Sequence, residues 1–316
     1  MARYGNGGCF WMRVETQWRR PGTNGWAALR YPGGCDSLAP PSSNNSLALL
    51  APATALWISG DLQPLHSSQS SEMPSDNRVV RRQIIDGQQT RPAHRSKAVV
   101  WQNSGVVYNE TGTLPTMPYL LQLYSGSREA PSMFRALGNQ STVGWDERTR
   151  TFVAARDEVV DVLITNRPSS ISSQVELHPW HFHHKSWHVA SGTGNFSEAA
   201  LAAIRSRGLY AKPILRDTFT VWPVPGSTLD PNDVLPAGGM GGWTLIRFQV
   251  QSGDAGVWPL HCHLHFHMAM GMSSTFALDT DAFDQRYRFH GDPNYFVFGR
   301  NVMSPYTYHR QQLGQW

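Results

Sequence analysis

Short runs of apolar or alternating residues, separated by turns, follow one another along the chain from about residue 96. Seven runs have the length and the β-branched or aromatic content of strands: AVVWQ, YLLQLY, TFVA, EVVDVLIT, TFTVW, WTLIRFQV and GVWPLH. In WTLIRFQV, successive side chains fall alternately on the two faces of a strand, and this alternation predicts a half-buried strand. The pattern therefore predicts an all-β domain, of the Greek-key sandwich or barrel type.

A single helical pattern interrupts the strands, in SEAALAAIRSRG at 197–208. Ser197 is a suitable N-cap, and Glu198 stands where the helix dipole favours negative charge. Gly208 predicts the C-terminal end, because glycine readily adopts the left-handed conformation there.

The first third of the chain has a different composition. Residues 35–77 are rich in Pro, Ser, Leu and Asn and predict a linker with some packed contacts. Six basic residues from Arg78 to Lys97 indicate a solvated surface. The net charge of +4 is not accompanied by a nucleic-acid-binding module, so we expect no nucleic acid partner. No span has the length of a membrane helix, and residues 1–8 lack the apolar run of a signal peptide.

The chemistry is concentrated in HCHLHFHMAMGM, residues 261–272. Cys262, His267 and Met272 supply a thiolate, an imidazole and a thioether from one loop. A blue copper site combines two His, one Cys and a weak axial Met, so one imidazole is missing. Zinc is the competing assignment because Cys and His also bind it, although a thioether adds little to a zinc site.

A second block, HPWHFHHKSWH at 178–188, contains candidates for the missing ligand. Side chains of a strand alternate between its faces, so Cys262 points away from its neighbours His261 and His263. The same alternation separates His178 from the pair His181 and His183. His178 is therefore expected to join Cys262, and the remaining imidazoles to converge elsewhere, in a number that suits more than one copper ion.

The two blocks resemble the C-terminal signatures of the multicopper oxidases, most closely the ascorbate oxidase group, which is related to laccases. The likeness extends through RDTFTVWP, GGWTLIRFQV, DAGVWPLHCH and SGTGNF. It implies a cupredoxin-like fold. It further implies that type 1 copper binds to His178, Cys262, His267 and Met272, type 2 copper to His181, and the type 3 pair to His183, His261 and His263. Electrons would arrive at the edge of His267 and leave through Cys262. His184, His188 and His265 have no ligand role in this scheme.

The resemblance also implies that part of the oxygen-reducing centre lies elsewhere. Such oxidases have three cupredoxin domains, and the first supplies two His-x-His pairs; none occurs here before residue 181. We expect residues 1–35 to be the last strands of a preceding cupredoxin domain and 36–95 a partly ordered linker. Residues 96–285 would form the C-terminal cupredoxin domain and 286–316 a tail. This chain would supply all ligands of the type 1 site but only half of the ligands of the type 2 and type 3 sites. The missing N-terminal domains would be required for the other half.

The expected function is a copper oxidoreductase that couples one-electron oxidation of a small reductant, of the ascorbate or diphenol type, to reduction of dioxygen to water. The alternatives are a mononuclear electron-transfer protein and an inactive fragment. Four Asn-x-Ser/Thr sequons, at Asn44, Asn109, Asn139 and Asn195, favour a secreted parent glycoprotein. Cys9 and Cys35 either pair or remain free.

Overall fold

A computed structural model describes residues 8–15, 24–31, 60, 62–92, 98–108, 133–138, 144–223, 241–280 and 282. The strands within these residues are β1 (Cys9–Glu15), β2 (Asn24–Arg30), β3 (Val79–Thr90), β4 (Val100–Asn103), β5 (Trp145–Asp146), β6 (Thr151–Ala154), β7 (Val159–Asn166), β8 (His178–Thr193), β9 (Leu215–Val221), β10 (Gly242–Gln249), β11 (Gly256–Cys262) and β12 (Ser273–Leu278). The helices are α1 (Ser68–Ser71), α2 (Met133–Gly138), α3 (Glu198–Ser206) and α4 (His265–Ala269), with one 3₁₀ turn at Asp76–Arg78. The all-β prediction is confirmed.

Ten of the described strands form one mixed sheet, in the order β4-β3-β7-β10-β8-β11-β12-β6-β5, with β9 paired to β8. The pairs β3–β7 and β12–β6 are parallel. The sheet curls so that distant strands meet: Asn103 of β4 donates to Ser274 of β12 at 3.0 Å, and Arg81 of β3 donates to the Val153 carbonyl of β6 at 3.1 Å. The curled sheet encloses the main core, where Cys262 lies.

The strand β10 shows how two apolar clusters share one sheet. Ile246 and Phe248 face the main core, as the alternation predicts. Trp243 and Leu245 face a second cluster, which Leu201 of α3 helps to close. The half-buried prediction is therefore wrong for this strand, because α3 and its neighbourhood cover the face that was expected to be exposed.

Most predicted elements are found. Strands occur at the predicted positions of AVVWQ, TFVA, EVVDVLIT, TFTVW, WTLIRFQV and GVWPLH, whereas YLLQLY lies outside the described residues. The helix starts as predicted: Ser197 Oγ accepts from the Ala200 N–H at 3.0 Å. Gly208 follows its end with a φ of +74°, the left-handed conformation expected there.

The basic run contains a strand that the sequence analysis did not predict. Strand β3 lies between β4 and β7, within the range 36–95 that was predicted as a linker. Its Arg81 side chain is only 7% exposed and is paired with Glu158, so the interpretation of the run as a solvated surface is wrong for Arg81. The Glu158 carboxylate and the Val153 carbonyl accept from the two terminal nitrogens of Arg81, which allows the side chain to be buried. The domain boundaries themselves stay predictions.

The N-terminal segment forms a separate antiparallel pair. Strands β1 and β2 are in register from Cys9 opposite Arg30 to Glu15 opposite Asn24. A two-stranded pair of this kind has marginal stability alone. Its origin in a preceding domain stays a prediction. The pairing of Cys9 with Cys35 concerns side chains outside the described residues.

Candidate metal centres

Strands β8 and β11 place the two histidine blocks side by side. They pair antiparallel, with Cys262 opposite Trp180 and His261 opposite His181. Opposed residues share a face of the sheet, so Cys262 points into the core and His261 points away from it. This alternation separates the candidate ligands into two groups, as the sequence predicts.

The first group, here called the Cys262 group, consists of His178, Cys262 and His267. The Cys262 Sγ lies 3.6 Å from His178 Nδ1 and 3.8 Å from His267 Nδ1, and the two Nδ1 atoms are 3.2 Å apart. All three side chains are buried. Three donor atoms that face one another in this way can bind one metal ion between them.

The thiol of Cys262 is protonated when no cation is present. Burial raises the pKa of this thiol to about 12; a hydrogen bond from the Leu264 backbone opposes the shift, and the negative charge of Glu176 adds to it. A bound cation reverses this preference because it stabilises the thiolate directly. The donor set of one buried thiol and two imidazoles fits copper, for which soft thiolate and imidazole ligands are selective.

Met272 is held next to the Cys262 group by the backbone. Its carbonyl accepts from the Cys262 N–H at 3.0 Å, and its N–H donates to the His267 carbonyl at 2.9 Å. The side chain is fully buried in the same cluster as Cys262. Gly87 of β3 leaves space for it, because a Cβ at this position would lie 2.7 Å from Met272 Cε.

Two further side chains hold the imidazoles, and neither was predicted from the sequence. The Trp101 ring lies 4.6 Å, centroid to centroid, from the rings of His178 and His267. Glu176 Oε2 is 3.2 Å from His267 Nε2. Both contacts join residues of different segments, so a local motif does not reveal them; a carboxylate two residues before His178 was the only available signal.

The second group, here called the His181 group, consists of His181, His183 and His261, on the other face of the same strands. His183 Nε2 and His261 Nε2 are 3.2 Å apart. His181 Nδ1 contacts the Asp217 carbonyl and His261 Nδ1 the Cys262 carbonyl, each at 3.0 Å. A carbonyl can only accept, so both Nδ1 atoms carry the proton and both Nε2 atoms are available to a metal.

The imidazoles of the His181 group are suited to metal binding near neutral pH. Burial lowers the pKa of both His183 and His261. The neighbouring His181 is the next cause at His183, whereas at His261 the hydrogen bond to the Cys262 carbonyl opposes the shift more strongly than His181 adds to it. Neutral imidazole is the form that binds metal. The His263 ring lies at the edge of the group, 5.8 Å from the rings of His181 and His261.

The three remaining histidines of the blocks lie away from both groups. His184 is buried between aromatic rings and contacts Asp254 Oδ2 at 3.0 Å. His188 is buried near the second apolar cluster, where its ring contacts Tyr210. His265 begins α4 and is exposed.

A family model described as multicopper oxidase matches residues 112–282, just over half of the chain. The chain belongs to the multicopper oxidases. This family uses copper as its cofactor, and its members are oxidoreductases. The match includes every residue of the Cys262 group and of the His181 group.

Curated relatives of this multicopper oxidase chain carry the names of more than one kind of oxidase. Laccase-like multicopper oxidase 1 of Thermothelomyces thermophilus is 31% identical over 95% of this chain and 45% of its own length. The L-ascorbate oxidase of Cucurbita pepo var. melopepo is 30% identical over 52% of this chain and 28% of its own length. The chain thus spans about half the length of the curated relatives that it matches, or less.

Solved multicopper oxidase structures are similar to part of this chain. Fet3p, a multicopper oxidase that functions in iron import, matches with a TM-score of 0.47 and 17% identity, over 73% of this chain and 37% of that protein. The laccase from Botrytis aclada matches with a TM-score of 0.35 and 18% identity, over 63% of this chain and 29% of that protein. Within the described residues of this chain, no helix has the length and apolar character needed to cross a membrane.

Replacing Gly87 with Ala is expected to displace the Met272 side chain. The added Cβ would meet Met272 Cε at 2.7 Å, and Met is flexible enough to move, so we expect a stability loss of only about 1 kcal/mol. The copper–thiolate absorption of the loaded protein should nevertheless shift. Gly253→Ala is the control, because its added Cβ meets nothing within 4 Å. Identical spectra for the two variants would show that Met272 does not contribute to the site.

His188 is expected to make the protein less stable in acid. Burial, and then the charge of Arg216, lower the pKa of His188 from 6.5 to about 3. The unfolded chain takes up this proton below pH 6.5, whereas the folded chain does not. The contribution of neutral His188 to the free energy of unfolding is therefore fully present above pH 6.5 and is lost as the pH falls from 6.5 towards 3. From pH 7 to pH 5, the loss should be about 2 kcal/mol.

Denaturant unfolding of wild type and His188→Gln at pH 7 and pH 5 tests this prediction. The Nε2 atom of His188 is 2.7 Å from Ser191 Oγ, and glutamine keeps an N–H donor without a titrating ring. The variant should lose about 2 kcal/mol less than wild type between the two pH values. An equal loss in both proteins would contradict the assignment of this pH dependence to His188.

Proposed function

We propose that this chain is the C-terminal part of a multicopper oxidase and that the Cys262 group, together with Met272, holds the type 1 copper. The observation that supports this proposal best is the arrangement of three buried donor atoms, Cys262 Sγ and the Nδ1 atoms of His178 and His267, within 3.8 Å of one another. A thiolate, two imidazoles and a weak axial thioether are the ligands of a blue copper site.

The proposal for the other face is that His181 belongs to the type 2 site and that His183, His261 and His263 belong to the type 3 pair. The solvent-accessible position of His183 and His263 supports it, because ligands shared with another domain must be reachable from outside. The remaining ligands would come from N-terminal domains, for which the greater length of the relatives leaves room.

The chain's own residues connect the two groups. Cys262 belongs to one group, while His261 and His263 on either side of it face the other, so a continuous covalent path joins them. Glu176 and Trp101 hold the His267 ring, and core packing around Cys262 excludes water. Copper, when bound, supplies the one-electron redox chemistry that no amino-acid side chain here provides.

We propose a small one-electron donor as the reductant and dioxygen as the acceptor. We rank ascorbate first, because relatives similar to this chain are named L-ascorbate oxidase, and we rank diphenols second and ferrous iron third. This order rests on likeness and not on a substrate pocket. Oxygen uptake by the full-length parent with each donor in turn tests it. Turnover of a diphenol in the absence of ascorbate turnover would reverse the first two places.

Copper loading of the purified chain tests the site proposal. We expect one tightly bound copper that gives the intense visible absorption of a copper–thiolate bond. The alternative of a mononuclear electron-transfer protein predicts the same absorption but no oxygen uptake even with the N-terminal domains present. A folded chain that takes up no copper under replete conditions would contradict the proposal and favour an inactive fragment.

We also propose that the parent protein is secreted and glycosylated. Among the four sequons, Asn195 lies in the described part of the chain, exposed on the turn before α3. An exposed Asn in a turn is accessible to the glycosylation machinery. Mass spectrometry of the protein from a secreting eukaryotic host is expected to find a glycan on Asn195, and no glycan at position 195 in Asn195→Gln. An unmodified Asn195 in the secreted protein would contradict glycosylation at this site.

A further inference from the structure

The carboxylate of Glu176 reaches the outer edge of the Cys262 group. Its Oε2 lies 3.2 Å from His267 Nε2, and its side chain is 34% exposed, whereas that of His267 is 7% exposed. The backbone of Glu176 is fixed, because the buried Asn166 donates a side-chain N–H to the Glu176 carbonyl. The carboxylate is thus held at the boundary between the buried group and the solvent.

The two ring nitrogens of His267 have different surroundings. Its Nδ1 faces Cys262 Sγ at 3.8 Å and His178 Nδ1 at 3.2 Å. Its Nε2, on the far side of the ring, faces Glu176. A carboxylate can only accept a hydrogen bond, so the proton of a neutral His267 resides on Nε2. The lone pair of Nδ1 then points at the position between the three donor atoms.

We propose that Glu176 is a positioning residue for the copper site: it selects the His267 tautomer that binds metal through Nδ1 and holds the ring in its plane. This inference rests on the proposed type 1 site. Hydrogen bonding from a ligand imidazole to a carboxylate also raises the basicity of the coordinating nitrogen. Glu176 therefore strengthens His267 as a ligand and favours the more highly charged, oxidised copper.

Trp101 is the competing explanation for the orientation of the ring. Its indole lies 4.6 Å from the His267 ring at an interplanar angle of 33°, so packing alone restricts rotation. Packing against a ring face, however, does not distinguish a proton on Nδ1 from one on Nε2. The tautomer is therefore the property that separates the role of Glu176 from that of Trp101.

Three proteins should be compared: the full 316-residue chain, Glu176→Gln and Glu176→Ala. In the metal-free chain, ¹⁵N NMR of the His267 ring reports which nitrogen carries the proton. After loading with copper, affinity and reduction potential are measured. Asp254→Asn is the matched control, because it weakens another His–carboxylate contact, of 3.0 Å to His184, outside both groups.

The wild-type ring is expected to be protonated on Nε2, and Glu176→Ala to give a mixture of tautomers. Copper affinity should fall by about 10- to 100-fold in Glu176→Ala and less in Glu176→Gln, which keeps a neutral acceptor. The reduction potential should shift upwards in the same order, with no shift in Asp254→Asn. Unchanged tautomer, affinity and potential in a folded Glu176→Ala would overturn the inference. If wild type itself binds no copper with thiolate absorption, it is the proposed site that fails.

Discussion

Cys262→Ser is expected to abolish the visible copper–thiolate absorption of the chain. A serine hydroxyl is a hard, weakly acidic ligand and does not replace a thiolate for copper. The loss of copper affinity at the Cys262 group should exceed the roughly 10- to 100-fold cost of losing an outer hydrogen-bond partner, because a direct ligand is removed. Absorption spectroscopy with copper quantitation measures both effects.

The control for Cys262→Ser is His181→Ala, a change on the opposite face of the same paired strands. The His181 group lies on the opposite face of the sheet from the Cys262 side chain, so His181→Ala should retain the thiolate absorption. Loss of the absorption in both variants would contradict the existence of two independent groups. A Cys262→Ser protein that kept the absorption would exclude Cys262 as the copper ligand.

The geometric grouping of the candidate ligands could be predicted from sequence, because it depends on the two-residue period of β-strands. Strand alternation determines that Cys262 and its neighbour His261 face opposite sides, and pairing of β8 with β11 preserves that separation. The same two-residue period correctly divided the side chains of β10 between its two faces. Elements with a strong local pattern were therefore found from sequence, whereas the assignment of each histidine to a particular copper site stays a prediction.

The surroundings of the site could not be predicted, because they depend on how distant segments meet. Gly87 and Trp101 come from β3 and β4, and they reach Met272 and His267 only because the sheet curls. Strand β3 itself was missed because its basic residues resemble a solvated surface. Their partners, such as Glu158 for Arg81, lie far away in the sequence.

Asp161→Ala is expected to destabilise the fold by about 2–3 kcal/mol, because it removes the buried carboxylate that pairs with the Arg247 guanidinium and leaves only the exposed Asp76 carboxylate, at 2.9 Å. Arg247 and Asp161 stand opposite each other on β10 and β7 and are 2% and 1% exposed. Two hydrogen bonds of 2.7 and 3.1 Å join them, and Arg247 also donates to the Pro74 carbonyl at 2.7 Å. Chemical denaturation of the metal-free chain measures the effect without a contribution from copper binding.

Two controls separate the loss of a buried charge partner from a general loss of contacts. The exposed pair Arg205 and Asp76 should matter little, so Arg205→Ala should cost at most about 1 kcal/mol. The double replacement Asp161→Leu with Arg247→Met should recover most of the loss, since apolar side chains of similar volume avoid the desolvation of both charges. If the double variant is as unstable as Asp161→Ala, the cost arises from lost packing between β7 and β10. In that case the cost does not come from the loss of the buried charge partner of Arg247.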